Sequence, residues 1–197
     1  EALQQALAKA AGLHGDIGVL VNNAANDDRH RIEEVTPAYW DERMALHQRA
    51  YFFAAQAVIA GMRRLGGGSI INFGSSGWKM ACGGYPAYAT AKASVHGLTR
   101  ALARDLGPDR IRVNTVVPGW VMTERQCRLW LDEQGRADIA RWQCLKEPLL
   151  PEHLARMGAV DIPRAVFLQL LARYCPLPGQ DGSWRLDDDL LADLLTP

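Results

Sequence analysis

Apolar residues at Leu3, Ala6, Leu7 and Ala10 repeat at i, i+3, i+4 and i+7, which predicts an amphipathic helix over residues 2–12. Gly12 and Gly15 stop it. The run Ile17-Gly18-Val19-Leu20-Val21 shows no polar alternation and predicts a strand buried on both faces of a parallel sheet. Polar residues 26–34 read as a loop. Helical periodicity then runs from about Pro37 to Arg64, with Pro37 suited to a first turn. Gly66-Gly67-Gly68 ends that segment, and Ser69 to Phe73 reads as a second buried strand. A further helix is expected over Tyr85 to Leu106, terminated by Gly107-Pro108, and a third strand over Ile111 to Val117, broken by Pro118-Gly119. Helix and strand thus alternate three times. That order predicts an α/β fold, a doubly wound parallel sheet with right-handed crossovers in which the three strands are adjacent.

The pattern loosens beyond Gly119. Residues 120–157 read as loop and short helices rich in Trp, Arg and Leu. From Gly158 onward, prolines and glycines interrupt two apolar pieces, Ala165 to Tyr174 and Leu190 to Leu195, the second preceded by the acidic run Asp187-Asp188-Asp189. Residues 1–157 and 158–197 are therefore expected to be separate parts, the second a divergent tail.

Composition narrows the classes of function. Among 197 residues, 22 Lys+Arg balance 22 Asp+Glu, and 48% are hydrophobic, the mix of a globular domain. With no basic excess, neither a nucleic-acid nor a membrane-surface partner is expected. No apolar run reaches the roughly 18 residues that span a bilayer. Cys82, Cys127, Cys144 and Cys175 form no CxxC pair, so free thiols in a reducing, cytoplasmic compartment are expected, and no metal site.

The chemistry lies in Tyr88-Ala-Thr-Ala-Lys92, near the start of a predicted helix. A spacing of four puts both side chains on one face, one turn apart. An ammonium there would favour the phenolate and lower the tyrosine pKa from its reference near 10, preparing it to exchange a proton with an alcohol or carbonyl oxygen. Ser75 follows the second strand. Asn22-Asn23-Ala24-Ala25 closes the first, and Pro118-Gly119-Trp120-Val121-Met122-Thr123 closes the third. Functional groups in parallel α/β sheets gather at the carboxyl ends of strands, so these three segments would share one rim.

In these residues the chain resembles the short-chain dehydrogenase/reductase family. The Asn-Asn-Ala-Gly type motif at Asn22 to Ala25, the serine at Ser75, Tyr-x-x-x-Lys at Tyr88 and Lys92, and Pro-Gly-x-x-x-Thr at Pro118 to Thr123 match in order and spacing. The resemblance covers about residues 1–157 and implies a Rossmann-type sheet and NAD or NADP as cofactor. It implies Tyr88 as general acid/base, Lys92 as the residue that lowers its pKa and holds the nicotinamide ribose, and Ser75 as a hydrogen-bond partner of the reacting oxygen. Asn23, Ala24 and Ala25 would line the cofactor ribose, with Pro118, Gly119, Val121 and Thr123 against the nicotinamide. Hydride transfer belongs to the cofactor; the protein positions and polarises. Relatives pair through two helices into a four-helix interface. A homo-oligomer is therefore expected, with Ala54, Ala57 and Ala60 on one helix and Ala91 and Ala101 on the other allowing close approach.

The departures carry expectations too. The glycine-rich phosphate loop of the family is missing from the sequence, which begins at Glu1 inside the helix before the family's fourth strand. Two β-α units, on the order of 60 residues, are expected to be absent. The sheet would be truncated at the amino terminus, and the chain would hold NAD(P) weakly. His47 stands where the family usually has an asparagine that helps hold a proton-relay water. Its two ring nitrogens permit a substitute relay, but a helix histidine without catalytic duty is the preferred reading. Ala25 replaces the usual glycine.

The segment Trp120 to Gln126, with Phe52-Phe53-Ala54-Ala55-Gln56, is most similar to sugar (aldose) dehydrogenases. Trp120, Glu124, Arg125 and Trp130 would then serve a polyol by hydrogen bonding and stacking, or else form a solvated helix with buried tryptophans. The function expected is an NAD(P)-dependent oxidoreductase acting on an alcohol or carbonyl, with a sugar as candidate substrate. The alternative is a non-catalytic remnant that folds or oligomerises without cofactor. An acyl-transfer role for Ser75 fails on sequence, because Phe73 occupies the first glycine of Gly-x-Ser-x-Gly.

Overall fold

The computed structural model describes residues 2–144, 146, 148 and 149. Its contacts divide the chain into residues 1–162 and 163–197. The sequence expectations for residues 158–197, including both apolar pieces and the acidic run, lie outside the described residues. Within the first unit the order is α1 (Ala2–His14), β1 (Val19–Asn22), α2 (Pro37–Met44), α3 (Ala50–Arg64), β2 (Gly68–Phe73), α4 (Pro86–Leu106), β3 (Ile111–Val116), α5 (Glu124–Trp130) and α6 (Glu133–Trp142).

The three strands form one parallel sheet in the order β1-β2-β3. Leu20 lies beside Ile70, and Ile70 beside Val113. Their shared face meets α3, where Val58 and Met62 are buried with Ile70, Leu106 and Ile111. Each such side chain contributes about 2 kcal/mol by leaving water. Leu7 of α1 packs at the border of this cluster.

Two sequence expectations need correction. Strand β1 is not buried on both faces, because Val19 and Val21 are 46% and 53% exposed while Leu20 and Asn22 are buried. On that other face Arg112, Asn114 and Val116 of β3 are also exposed. The helix expected over residues 37–64 is interrupted by one π-helical turn at Ala45–Arg49. This turn carries His47, and hydrophobic periodicity does not reveal it because both flanking helices keep one apolar stripe.

Local chemistry sets the boundaries. Thr36 Oγ1 accepts the Tyr39 N–H at 3.2 Å to open α2, with Pro37 in the first turn. Gly66, at φ +77°, turns the chain out of α3 in a conformation costly for any residue with a Cβ. Thr123 Oγ1 accepts the Gln126 N–H to start α5, and Asp132 accepts the Gly135 N–H at 2.7 Å to start α6.

A buried polar ladder crosses the sheet near its carboxyl edge. Asn22 Nδ2 donates to Asn72 Oδ1 at 2.9 Å, and Asn72 Nδ2 donates to Thr99 Oγ1 at 3.0 Å. Thr115 Oγ1 donates to Thr99 Oγ1 at 2.7 Å. Every strand and α4 contribute one rung, so the ladder fixes α4 against the ends of β1, β2 and β3. Ser75 and Tyr88 stand just beyond it.

Candidate active site

Tyr88 and Lys92 occupy the first two turns of α4, as the spacing predicts. Lys92 is almost wholly buried, 1% exposed, beneath the tyrosine. Its ammonium donates to the Phe73 carbonyl at 2.6 Å and to the Tyr51 hydroxyl at 3.1 Å. It lies 6.0 Å from the centre of the Tyr88 ring. Burial draws the Lys92 pKa down to about 8.

The phenol does not follow the direction predicted from sequence. Burial raises the Tyr88 pKa above its ordinary value. A hydrogen bond from Ser75 and the Arg29 charge pull it down, while Asp27 pushes it up. The lysine has spent two donors on β2 and Tyr51, so desolvation of the phenol decides the sign. The site therefore holds Tyr88 protonated at neutral pH. Ser75 is in place, since its Oγ also accepts the Gly77 N–H at 3.1 Å.

Asn23, Ala24 and Ala25 lie exposed at the carboxyl end of β1. At the end of β3, Pro118 and Val121 are half-buried, whereas Gly119 and Thr123 are exposed. The segment after β1 continues into a polar loop that sequence reading left without a role. His47, 0% exposed, holds the Asn26 carbonyl through Nε2 at 3.0 Å. That bond places the ring hydrogen on Nε2 and leaves Nδ1 an acceptor with no partner among the described residues. Burial first, then the charges of Lys92 and Arg43, pull the His47 pKa down to about 4. His47 thus ties the π turn to the site's rim, a structural contact that stands beside the expectation of a helix histidine without catalytic duty.

The same loop docks α5. Arg125 pairs with Asp27 at 2.5 Å and with Asp28 at 3.2 Å, and Gln126 Nε2 donates to Asp27 Oδ2 at 3.0 Å. Trp120 Nε1 donates to Gln126 Oε1 at 2.8 Å. Arg125 and Trp120, expected to meet a polyol, are thus committed within the chain. Glu124 is exposed, and Trp130 packs beside Arg29.

Sequence reasoning missed Tyr51, Asn72 and Asp27 altogether. Only Asn72 left a signal, a polar residue in the middle of an apolar strand.

A parallel sheet with helices packed on it, and Ser75, Tyr88 and Lys92 gathered near the carboxyl end of β2, has the architecture of a Rossmann-type α/β fold. Residues 1–160 match the family model described as Enoyl-(Acyl carrier protein) reductase. D-xylose 1-dehydrogenase of Caulobacter vibrioides is 52% identical over 143 residues, 73% of this chain and 57% of that protein. A probable galactose dehydrogenase of Rhizobium meliloti is 49% identical over 154 residues, 78% of this chain and 60% of that protein. Among solved structures, a gluconate 5-dehydrogenase from Burkholderia cenocepacia in complex with NADP and tartrate superposes with a TM-score of 0.72. It is 26% identical, over 79% of this chain and 61% of that one. The chain belongs to the short-chain dehydrogenase/reductase family, and it spans less than two thirds of the length of these relatives.

Proposed function

We propose that this chain serves an NAD(P)-dependent oxidoreductase that interconverts an alcohol and a carbonyl on a small molecule, with an aldose sugar as substrate class. The carrying observation is Tyr88 one turn from the buried Lys92 on α4, with the Lys92 ammonium on the Phe73 carbonyl at the end of β2 and Ser75 following that strand. Similarity to a D-xylose and a probable galactose dehydrogenase supports the sugar.

The residues present fit the nicotinamide end of the cofactor. Lys92 has a third donor beyond those given to Phe73 and Tyr51, suited to a ribose hydroxyl. Thr123 Oγ1 accepts from Gln126, so its own hydrogen is free for a carboxamide oxygen. Asn23, Ala24 and Ala25 offer exposed backbone to the ribose, and Pro118, Gly119 and Val121 line the nicotinamide. Bound NAD(P) would supply or take the hydride. In reduction, Tyr88 gives its proton to the carbonyl oxygen; in oxidation, its phenolate takes the proton of the alcohol. Ser75 donates to that same oxygen.

Two further parts belong to this reading. Self-association through α3 and α4 is supported by a groove of about 630 Å³ between them, lined by the exposed Phe52 and Phe53 and by Leu98. Of the alanines expected at that surface, Ala57, Ala60 and Ala101 are exposed, whereas Ala54 and Ala91 are buried in the interior. A cytoplasmic location is supported by the free, exposed thiols of Cys82, Cys127 and Cys144. Among the described residues, no helix is long and apolar enough to cross a membrane. The divergent tail, residues 158–197, is proposed as a part separate from the catalytic frame.

Tyr88→Phe tests the function. It is expected to abolish NAD(P)-linked oxidation of an aldose while changing cofactor affinity little, whereas Lys92→Ala should damage both. Undiminished turnover in Tyr88→Phe would remove the assignment.

A further inference from the structure

We propose that Arg29 is a substrate-anchoring residue, holding two adjacent oxygens at the end of the substrate remote from the reacting carbon. This deepens the oxidoreductase reading and rests on it. Four arginines stand on or near the loop after β1, and three have carboxylate partners. Arg31 pairs with Glu33, Arg43 with Asp28 and Glu42, and Arg125 with Asp27 and Asp28. Among the described residues Arg29 has none. The two nearby aspartates are spent on Arg125, and the side chain is exposed at the rim.

Its position is nevertheless fixed. The guanidinium carbon lies 4.2 Å from the centre of the Tyr85 ring and 5.0 Å from that of Trp130. His30, next in sequence, donates its backbone N–H to the Gly84 carbonyl at 2.9 Å. Its Nε2 accepts the Ala87 N–H at 3.1 Å. The backbone that carries Arg29 is therefore pinned to the start of α4. Aromatic rings cover flat guanidinium faces and leave the in-plane N–H groups uncovered. Those groups form a fork that matches two oxygens about as far apart as those of a carboxylate.

The cation stands close to the reacting centre. Arg29 covers the Tyr85 ring, Tyr85 and Tyr88 lie edge to face with centroids 5.4 Å apart, and the Arg29 charge acts to lower the Tyr88 pKa. An unpaired, prepositioned cation flanked by aromatic faces suits the vicinal hydroxyls of a sugar or the carboxylate of a sugar acid. A simple monohydric alcohol offers it nothing.

The test is binding rather than turnover. Affinities of the wild type, Arg29→Met and Arg29→Lys are measured for D-xylose, D-xylonate and cyclohexanol, with and without NADP. Cofactor binding is followed separately by NADPH fluorescence. Loss of a charge-assisted pair of hydrogen bonds predicts roughly tenfold or greater weakening for D-xylose or D-xylonate in both variants. Whichever of the two ligands responds identifies the oxygens as vicinal hydroxyls or a carboxylate. Cyclohexanol should be unaffected, and the Arg29→Lys melting temperature unchanged, since lysine keeps the charge over the rings but not the fork. Equal weakening for cyclohexanol, no weakening for either sugar ligand, or wild-type protein that binds neither would overturn the proposal. Failure of NADPH binding alone would count against the oxidoreductase reading and not against Arg29.

Discussion

The His47 imidazole stands edge-on to the Tyr88 ring, with centroids 5.3 Å apart and planes at 85°. Around it lie the Lys92 ammonium, the Arg43 guanidinium and the Asp27 carboxylate, while the Asn26 carbonyl takes its Nε2 hydrogen. Two cations and burial outweigh one carboxylate, so the ring stays neutral down to about pH 4. In the unfolded chain it would take a proton near pH 6.5. Between those values the unfolded state binds more protons, so stability falls as pH drops. Urea unfolding at pH 7.5 and pH 5 should show the wild type losing about 2 kcal/mol more than His47→Gln. Equal losses would mean that the folded ring is charged.

Lys92 gives a slope of the same sign at the alkaline end. Burial depresses its pKa from 10.5 to about 8, so in that window the unfolded chain holds the extra proton. Stability therefore rises with pH across it. Relative to Lys92→Met, the wild type should gain about 2 kcal/mol between pH 7 and 9.5. A flat difference in urea midpoints across that range would show that the ammonium is not penalised by burial.

Asn72 is 0% exposed and serves both sides of the ladder, accepting from Asn22 and donating to Thr99. Asn72→Ala leaves a buried amide and a buried hydroxyl each short of a partner. The expected cost is about 2–4 kcal/mol, read as a shift of the urea midpoint. Hydrogen exchange should also loosen at the carboxyl ends of β1 and β2, because the ladder joins them beside the backbone bonds. Asn72→Asp should be at least as harmful, since it removes the donor to Thr99 and buries a charge.

The regular frame was legible because its signals are local. Apolar runs bounded by glycine located all three strands, and Thr36-Pro37, Gly66 and Gly107 punctuate the chain where the helices begin and end. The placement of Tyr88 and Lys92 one turn apart near the start of α4 was legible from their spacing. What was not legible depends on which distant groups share a buried space. The Lys92 ammonium meets Tyr51, 41 residues away in sequence. The Tyr88 pKa rises because desolvation of the phenol outweighs Ser75 and Arg29, a balance that spacing on a helix cannot show. The exposed face of β1 was misjudged because an apolar run records what a strand tolerates, not what covers it.

Arg125 offers the last prediction, since it joins α5 to a loop nearly a hundred positions away in sequence. Its guanidinium spans Asp27 and Asp28, and beside it Gln126 ties Asp27 to the Trp120 indole. Burial would raise the Asp27 pKa, but hydrogen bonds from Arg125 and Gln126 outweigh it and hold the carboxyl below its ordinary value. The pair is partly exposed, so it contributes only about 0.5–1 kcal/mol to global stability. Its larger effect is local, because α5 is a short helix with no buried residue of its own to anchor it. Arg125→Ala should therefore shift the urea midpoint little while raising amide exchange over residues 124–130 severalfold. High salt should produce part of the same change in the wild type by screening the exposed charges. A depressed carboxylate keeps its contribution above its unfolded pKa and loses it as pH falls through the folded one, so acid should free α5 before it unfolds the sheet. Exchange over α5 that is indifferent to the substitution, to salt and to acid would show that packing, and not the Arg125 pairs, holds this helix over the Tyr88 site.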